Sequence, residues 1–200
     1  MLNNKKSEEM TDILAIGNAI CDIVVRVEDN ILERLDVNKS SMVLCDNEQI
    51  ASHMDFLKKS EHEFTICSGG SAANTIHYIS KLGLKSSFIG NVSSGYYGAK
   101  FAHELEKEDI RFINLHEENN SGKTAISLVL VTPDGERTML TSLGCAGEID
   151  FSNHNVNLLC NSRLVYIEGY LWDREKTITS IRNLIELSLI HISEPTRLGF

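Results

Sequence analysis

The segment from Phe64 to Gly83 constrains the fold of this 200-residue chain more than any other part of it. It opens with the apolar run FTICSGG, which ends in a glycine pair, and continues with SAANTIHYISKL. In the second part, apolar side chains recur at helical spacing until Gly83, a common residue just after a helix. The segment therefore predicts a strand, a tight turn and a helix, which is the repeating unit of α/β proteins.

The same alternation continues on both sides of this segment. The run ILAI before Gly17 is short, apolar and partly β-branched, as expected for a buried strand. This order of elements favours an α/β fold with a doubly wound, mostly parallel sheet. The other predicted strands are 86–92, 110–115 and 163–167, and the other predicted helices are 99–107 and 174–188.

One region departs from the alternation. The stretches 124–131 and 137–143 are both strand-like, and they flank Pro133, Asp134 and Gly135 in turn-favouring order. The pattern predicts an antiparallel hairpin inside the α/β chain. We expect this hairpin to form a lid or a small added sheet.

Composition narrows the range of partners and locations. The chain has 19 basic and 28 acidic residues, a net charge of −9, which is the wrong sign for gripping nucleic acid. Its five cysteines are odd in number and form no CxxC pair, which suits a reducing compartment. No apolar run approaches the length of a membrane span, and the amino terminus is polar. We therefore predict a cytoplasmic protein without nucleic-acid or membrane partners.

Several familiar catalytic motifs are excluded by spacing. The stretch SGKT at 121–124 resembles the end of a phosphate-binding loop, but Glu117 stands where that loop needs glycine. Neither GxGxxG nor GxSxG occurs, which disfavours a dinucleotide fold and a serine hydrolase. The seven histidines form no HxxxH pair, so no metal site is predicted from them.

Polar residues follow two of the predicted strands. Asn18 and Asp22 come after the first strand, while Gly70 and Asn74 stand at the start of the helix after the second. Ligands of open α/β sheets bind at the carboxyl ends of strands, so these residues can converge on a polyol such as ribose. The alternative is that each residue has only a local role. The glycines would permit a tight turn, Asn74 would cap its own helix, and Asp22 would cap a turn.

The motifs AIGNAICDI and CSGGSAANTIHYISKLG together resemble the ribokinase-like (PfkB) family of carbohydrate and nucleoside kinases. The hairpin LVLVTPDGERTMLTSLGCA is similar to the family's lid, and YIEGYLWD to a strand end of its adenosine kinase-like branch. The resemblance implies a ribokinase-like sheet with a small β lid. It also implies ATP-dependent, Mg²⁺-requiring phosphoryl transfer to a hydroxyl of a sugar or nucleoside.

The resemblance also assigns roles to individual residues. Asp22 would hold ribose hydroxyls with support from Asn18, and Gly69, Gly70 and Asn74 would contact the sugar from the helix start. Arg137 would lie near the transferred phosphate. The remaining implied substrate positions lie on the lid wall (Met139, Thr141, Leu143) and on the far side of the pocket (Glu168, Tyr170).

The family's catalytic base lies in a DTxGAGD segment, and a second family motif is NxxE; we expect this chain to lack both. The resemblance therefore implies residues 12–188 as the amino-terminal part of a kinase domain, with lid segments near 22–46 and 120–144. The tail 189–200 is expected to be non-native or disordered. We expect no catalytic or metal-binding residue here and no activity from the chain alone, while ATP and Mg²⁺ belong to the full-length enzyme.

Other readings stay open at this point. One is a non-catalytic α/β protein that binds a sugar or nucleoside, and another is a sugar kinase of the ribokinase or fructokinase type. In each case the partner is a small molecule. The chain would be a monomer or a dimer formed through its lid.

Overall fold

Two β-sheets organise the chain in the computed structural model, which describes residues 10–116, 122–151 and 161–187. The central sheet has the strand order β6-β5-β1-β9, and all of its neighbouring strands are parallel. Its strands are β1 (Thr11–Ile16), β5 (Ser86–Gly90), β6 (Ile110–Asn114) and β9 (Ser162–Ile167). The predicted α/β class with a mostly parallel sheet is confirmed.

The second sheet, which we call the lid sheet, is mixed and has the order β3-β8-β7-β2-β4. Strands β7 and β8 form the predicted antiparallel hairpin, and β2 runs parallel to β7. The strands of the lid sheet are β2 (Ile20–Arg26), β3 (Met42–Leu44), β4 (Thr65–Gly69), β7 (Ala125–Val131) and β8 (Arg137–Ser142).

Five helices and one 3₁₀ turn connect these strands within the described residues. The predicted helices over 71–82, 99–107 and 174–188 are present, with ends shifted by a few residues. The helices are α1 (Asp29–Arg34), α2 (Asn47–Lys59), α3 (Ser71–Lys81), α4 (Tyr96–Lys107) and α5 (Glu175–Leu187), and the 3₁₀ turn is Gly169–Asp173.

Helices cover both faces of the central sheet. On one face Phe88 packs with Phe101 of α4 and Ile76 of α3. On the other face Leu14 packs with Ile181 of α5. Every residue of β5 is buried, which explains why its sequence is apolar or small rather than alternating.

The lid sheet has a back face and a front face. The back face is apolar, and its Ile23, Leu128 and Leu140 pack against α1 and α2. The front face carries the alternate residues, including Asp22, Ser127 and Thr141, which are paired in one row across β2, β7 and β8. The polar residues of this sheet therefore gather on the side away from α1 and α2.

The structure corrects one expectation about the sheets. The sequence pattern around Phe64 suggested that this strand belongs to the parallel central sheet. Instead β4 is antiparallel to β2 at the edge of the lid sheet. The reason is the turn 17–19, which carries the chain from β1 in the central sheet into β2 in the lid sheet and so provides a new edge for β4. The expected tail 189–200 lies outside the described residues.

Candidate functional site

Glu168 joins three segments at the carboxyl ends of β1 and β9. It is only 3% exposed. The backbone N–H of Asn18 donates to its Oε2 at 2.7 Å, and the Asn18 Nδ2 donates to the same oxygen at 2.9 Å. The Ser71 hydroxyl and the Ala72 N–H, at 3.4 Å, donate to Oε1. This carboxylate therefore fixes the β1–β2 turn against the start of α3, where helix N–H groups favour negative charge.

Two glycines allow this close approach. A Cβ at Gly17 would lie 2.5 Å from the Ala72 Cβ. Gly70 has φ +94°, and a Cβ there would lie 2.4 Å from the backbone oxygen of Asn18. Both positions exclude any side chain, and the φ of Gly70 additionally favours glycine. Gly70 thus serves the local turn role considered from sequence, and together with Gly17 it allows Asn18 and α3 to lie close together.

Asp22 lies beyond this junction, on the front face of the lid sheet. Its carboxyl group covers Gly69, where a Cβ would lie 2.3 Å from the Asp22 Cγ. Burial raises the pKa of Asp22 from 3.8 to about 6, and the charge of Arg137 acts in the opposite direction. Asp22 is paired along the strands with Cys67 and Ser127. The result is a half-buried carboxylate that is ionised above about pH 6.

A pair of hydroxyl groups continues the row that starts at Asp22. The Ser127 and Thr141 hydroxyl oxygens lie 2.9 Å apart and share a hydrogen bond. Met139 lies two residues before Thr141 on the same face, and Leu44 of β3 is paired with Thr141. Polar groups near Asp22 thus give way to apolar ones toward the β3 edge. Sequence analysis named Thr141 and Met139 but missed Ser127.

The other predicted site residues have diverse surroundings. Asn74 is exposed in the first turn of α3, where its N–H donates to the Gly70 oxygen at 2.9 Å. Leu143 is half-buried just after β8. Arg137 is exposed at the start of β8, and Tyr170 is 70% exposed in the 3₁₀ turn. Of the predicted residues, Gly69 lies against the Asp22 carboxyl group, and Asn18 and Gly70 lie against each other at the start of β2, the strand that carries Asp22.

A groove lies on the opposite side of the lid sheet. It has a volume of about 380 Å³ and is lined by α2, the start of α4 and Ile126 on the back face. Its charged lining groups, Asp55, Lys58 and Lys123, are of both signs. Lys123 and Thr124 of the SGKT stretch, which was set aside as a phosphate-binding loop, line this groove, but Asp22, Ser127 and Thr141 do not. We therefore place the candidate site on the front face, where the polar groups converge.

The described residues contain no cluster of side chains suited to a metal ion. Within 10–116, 122–151 and 161–187, no three His, Cys, Asp or Glu side chains cluster as metal ligands. The expectation that NxxE spacing is lacking is wrong, because Asn30–Glu33, Asn114–Glu117 and Asn183–Glu186 all have it. The first and the last of these stretches lie in helices, α1 and α5. In the same described part of the chain, no helix is long and apolar enough to cross a membrane.

Comparison with known proteins now bears on this geometry. The model of the pfkB family of carbohydrate kinases matches residues 10–189. The chain belongs to this family. The sequence resemblance to PfkB kinases and the predicted ribokinase-like fold are thereby confirmed.

Solved structures and a curated relative agree with the family. A probable sugar kinase from Rhizobium etli CFN 42 is 31% identical, with a TM-score of 0.76 over 93% of this chain and 55% of that one. The adenosine kinase from Sinorhizobium meliloti is 32% identical, with a TM-score of 0.75 over 91% and 54%. Adenosine kinase 2 from Arabidopsis thaliana is 24% identical over 168 residues, which are 79% of this chain and 46% of that protein. This PfkB chain thus spans about half the length of these relatives.

Proposed function

We propose that this chain carries the substrate-binding part of an ATP-dependent PfkB phosphotransferase that acts on a nucleoside hydroxyl, in the manner of an adenosine kinase. The observation that carries the proposal is the Asp22 carboxylate on the front face of the lid sheet. Among the described residues no hydrogen-bond donor reaches this carboxylate, while burial keeps it short of water. A carboxylate in this state is suited to accept hydrogen bonds from a pair of sugar hydroxyls.

The neighbours of Asp22 favour a nucleoside over a free sugar. Met139 is half-buried on the same face, and Met42 and Leu44 of β3 are 55% and 59% exposed there. Their flexible apolar side chains can cover the flat face of a base while Asp22 holds the ribose. Ser127 and Thr141 lie between the two regions and would orient the ligand through their hydroxyls.

The chemistry of phosphoryl transfer explains what this part of the enzyme contributes. Transfer requires positioning of the attacking hydroxyl and exclusion of water. In this proposal Asp22 and the start of α3 position the sugar, and the front face of the lid sheet excludes water. ATP with Mg²⁺ supplies the phosphoryl group when bound. Because the described residues provide no metal-ligand cluster, we assign no step to them beyond binding and orientation.

Calorimetric titration of the purified chain with adenosine, ribose and fructose tests the proposal. Adenosine should bind more tightly than either sugar at about pH 8, and Asp22→Asn should weaken adenosine binding by about tenfold, the loss of one charge-assisted hydrogen bond. Asp55→Asn is the matched control, since Asp55 is exposed on α2 behind the lid sheet. Equal binding by both variants would remove the basis for placing the substrate at Asp22.

The titration separates the first of two alternatives, and an assay of phosphoryl transfer separates the second. A sugar kinase, as in the Rhizobium etli relative, would bind fructose or ribose in preference to adenosine. A non-catalytic binding protein would bind adenosine through Asp22 but would have no link to phosphoryl transfer in any complex. We further propose that the chain alone releases no ADP from ATP, and that it is a cytoplasmic protein, in keeping with free Cys21, Cys45, Cys67 and Cys145.

A further inference from the structure

The glycine pair beside Asp22 is held from both ends. On its carboxyl side, Glu168 accepts hydrogen bonds from the start of α3. On its amino side, the Ser68 N–H donates to the Oε2 of Glu104 at 3.0 Å. Two carboxylates from different elements therefore fix the short segment against which the Asp22 carboxyl group lies.

Glu104 belongs to a different part of the molecule from the strand that it holds. It lies on α4, which packs on the central sheet through Phe101 and Leu105. Ser68 lies on β4, the edge strand of the lid sheet, which pairs with β2 alone in the described residues. An edge strand ordinarily leaves its outward N–H groups without a partner in the protein. Here one of them binds a helix of the central sheet, so this bond ties the two sheets together next to Gly69.

The Glu104 carboxylate is itself fixed in place. Its Oε1 accepts from the Lys100 Nζ at 2.9 Å, one helical turn earlier, and its side chain is only 24% exposed. Burial alone would raise the pKa of Glu104, but the hydrogen bonds from Lys100 and from the Ser68 N–H outweigh it and lower the pKa. Glu104 is therefore ionised at neutral pH, and its bond to Ser68 is of the stronger, charge-assisted kind.

The position of β4 decides how much water reaches Asp22. The Asp22 carboxyl group lies so close to Gly69 that no Cβ would fit there. Cys67 is paired with Asp22 across the same two strands. Burial raises the pKa of Asp22 to about 6. If the β4 edge moved outward, water would reach this carboxyl group and the effect of burial would diminish.

We propose that Glu104 is a positioning residue of the candidate site: through the Ser68 N–H it holds Gly69 against the Asp22 carboxyl group, and so keeps that group shielded from water and aimed at the ligand's hydroxyls. This inference rests on the proposed function and adds a residue to the same site. Glu104 acts only through β4, as a residue that fixes the group in direct contact with the ligand. If Glu104 served only to stabilise α4, its loss would lower stability and leave Asp22 unchanged.

Among the groups near the two carboxylates, Asp22 alone should titrate in the range that the test uses. The charged or titratable groups that act on Glu104 or Asp22 from the surrounding elements are Lys100, Lys107, Arg137, Cys21 and Cys67. Burial raises the pKa of both thiols above 9.0. The thiols therefore stay neutral and the three cations stay charged below about pH 8.

Titration of the Asp22 carboxyl carbon by NMR, between about pH 3 and pH 8, provides the test. Glu104→Ala should lower the pKa of Asp22 from about 6 by about 1. It should also weaken adenosine binding about fivefold in calorimetry, because the carboxylate is less well placed and better hydrated. Ser68→Pro removes the donor of the same bond, at an outward position where an edge strand accepts proline, and should act in the same direction.

Two further variants isolate the hydrogen bond. Glu104→Gln removes the charge but keeps an oxygen that accepts from the Ser68 N–H, so it should restore most of the pKa and of the affinity. Glu106→Ala is the matched control, since Glu106 is an exposed carboxylate on the same helix, and it should change neither. Circular dichroism should show that all four variants stay folded. The inference is overturned if Glu104→Ala and Ser68→Pro leave the pKa of Asp22 unchanged, or if Glu104→Gln acts like Glu104→Ala.

The pKa of Asp22 and the binding of adenosine are separate readouts. If the pKa falls in Glu104→Ala but adenosine binds to no form of the chain, the hold on Asp22 is supported and the proposed function is contradicted. If adenosine binds and the pKa does not move, the positioning role is overturned and the proposed function stands. A pKa that falls without any loss of adenosine affinity also overturns the positioning role.

Discussion

Two carboxylates lie on either side of the β1–β2 turn, and their surroundings differ. Glu168 is almost completely buried and accepts hydrogen bonds from Asn18, Ser71 and Ala72. Asp22 is half-buried, accepts no hydrogen bond from the described residues, and has a pKa raised to about 6 by burial. The difference separates a group that holds the backbone in place from a group that, under the proposed function, accepts hydrogen bonds from a ligand.

The comparison teaches how a turn can be kept rigid by one buried carboxylate while a second carboxylate nearby takes no part in holding it. Glu168 satisfies donors at the turn and at the start of α3, so the strand that carries Asp22 begins from a fixed point. Asp22 is not needed to hold the turn. Its carboxylate therefore keeps its full capacity to accept hydrogen bonds.

The largest expected effect is on stability at Glu168. Glu168→Ala leaves several buried donors at Asn18 and Ala72 without an acceptor, and should lower the free energy of unfolding by about 4 kcal/mol. Urea denaturation measures it. Glu148→Ala is the control, because Glu148 forms an exposed pair with Arg174 at 2.9 Å, which should contribute less than about 1 kcal/mol. Similar losses in the two variants would contradict a structural role specific to Glu168.

The next effect concerns pH and Asp22. Because the pKa is raised from 3.8 to about 6 on folding, the folded chain binds this proton more tightly than the unfolded chain does. The stability of the chain relative to Asp22→Asn should therefore be highest below about pH 4, fall by about 3 kcal/mol in all as pH rises through about 6, and then level off. Denaturation of both proteins between about pH 4 and pH 8 measures this difference.

Ligand binding should follow the opposite trend with pH. Ionised Asp22 is the better acceptor, so adenosine affinity should rise as pH increases through about 6 and should lose this dependence in Asp22→Asn. If the difference in stability between the chain and Asp22→Asn did not change with pH, Asp22 would not be desolvated. The contrast between Asp22 and Glu168 would then fail.

A smaller effect is expected where the glycine pair meets the turn. Gly70 and Gly83 both have positive φ, +94° and +88°, but only Gly70 faces the backbone of Asn18; nothing lies within 4 Å of a Cβ at Gly83. Alanine at either position bears the strain of positive φ. Gly70→Ala should therefore cost about 2 kcal/mol more than Gly83→Ala, through the clash alone. Equal costs in urea denaturation would show that the turn relaxes and that Asn18 is not tightly held.

The smallest effect should distinguish ligand contact from stability. Ser127→Ala removes a hydroxyl bonded to Thr141 and should cost about 1 kcal/mol. Ser80→Ala is the control, because the Ser80 hydroxyl donates to the Glu108 oxygen at 2.7 Å, far from the lid sheet. Only Ser127→Ala should weaken adenosine binding, by about threefold. Unchanged affinity in calorimetry would remove Ser127 from the site.

Local patterns predicted the elements of the fold but not all of their partners. The apolar spacing after Gly70 and the turn at Pro133 identify α3 and the β7–β8 hairpin, because both depend on neighbouring residues. The pairing of β4 with β2 depends on where the chain crosses between sheets, which no local period encodes.

The site divides in the same way. Gly70 stands out in sequence because the strand-to-helix turn requires its positive φ. The hydrogen bonds that Asn18 and Ser71 donate to Glu168 join residues 150 and 97 positions apart along the chain. No rule of sequence spacing predicts such pairs. Ser127 could have been found, since the alternation in AISLVLV puts it on the same side of β7 as Val129, two residues on.

Titration of the isotope-labelled chain with adenosine, followed by amide chemical shifts, tests the central claim most directly. Our account predicts that the shifts concentrate at Asp22, Gly69, Ser127 and Thr141 on the front face of the lid sheet, and that Asp22→Asn removes them. Shifts confined to Met54, Lys58 and Tyr96, in the groove behind that sheet, would contradict it.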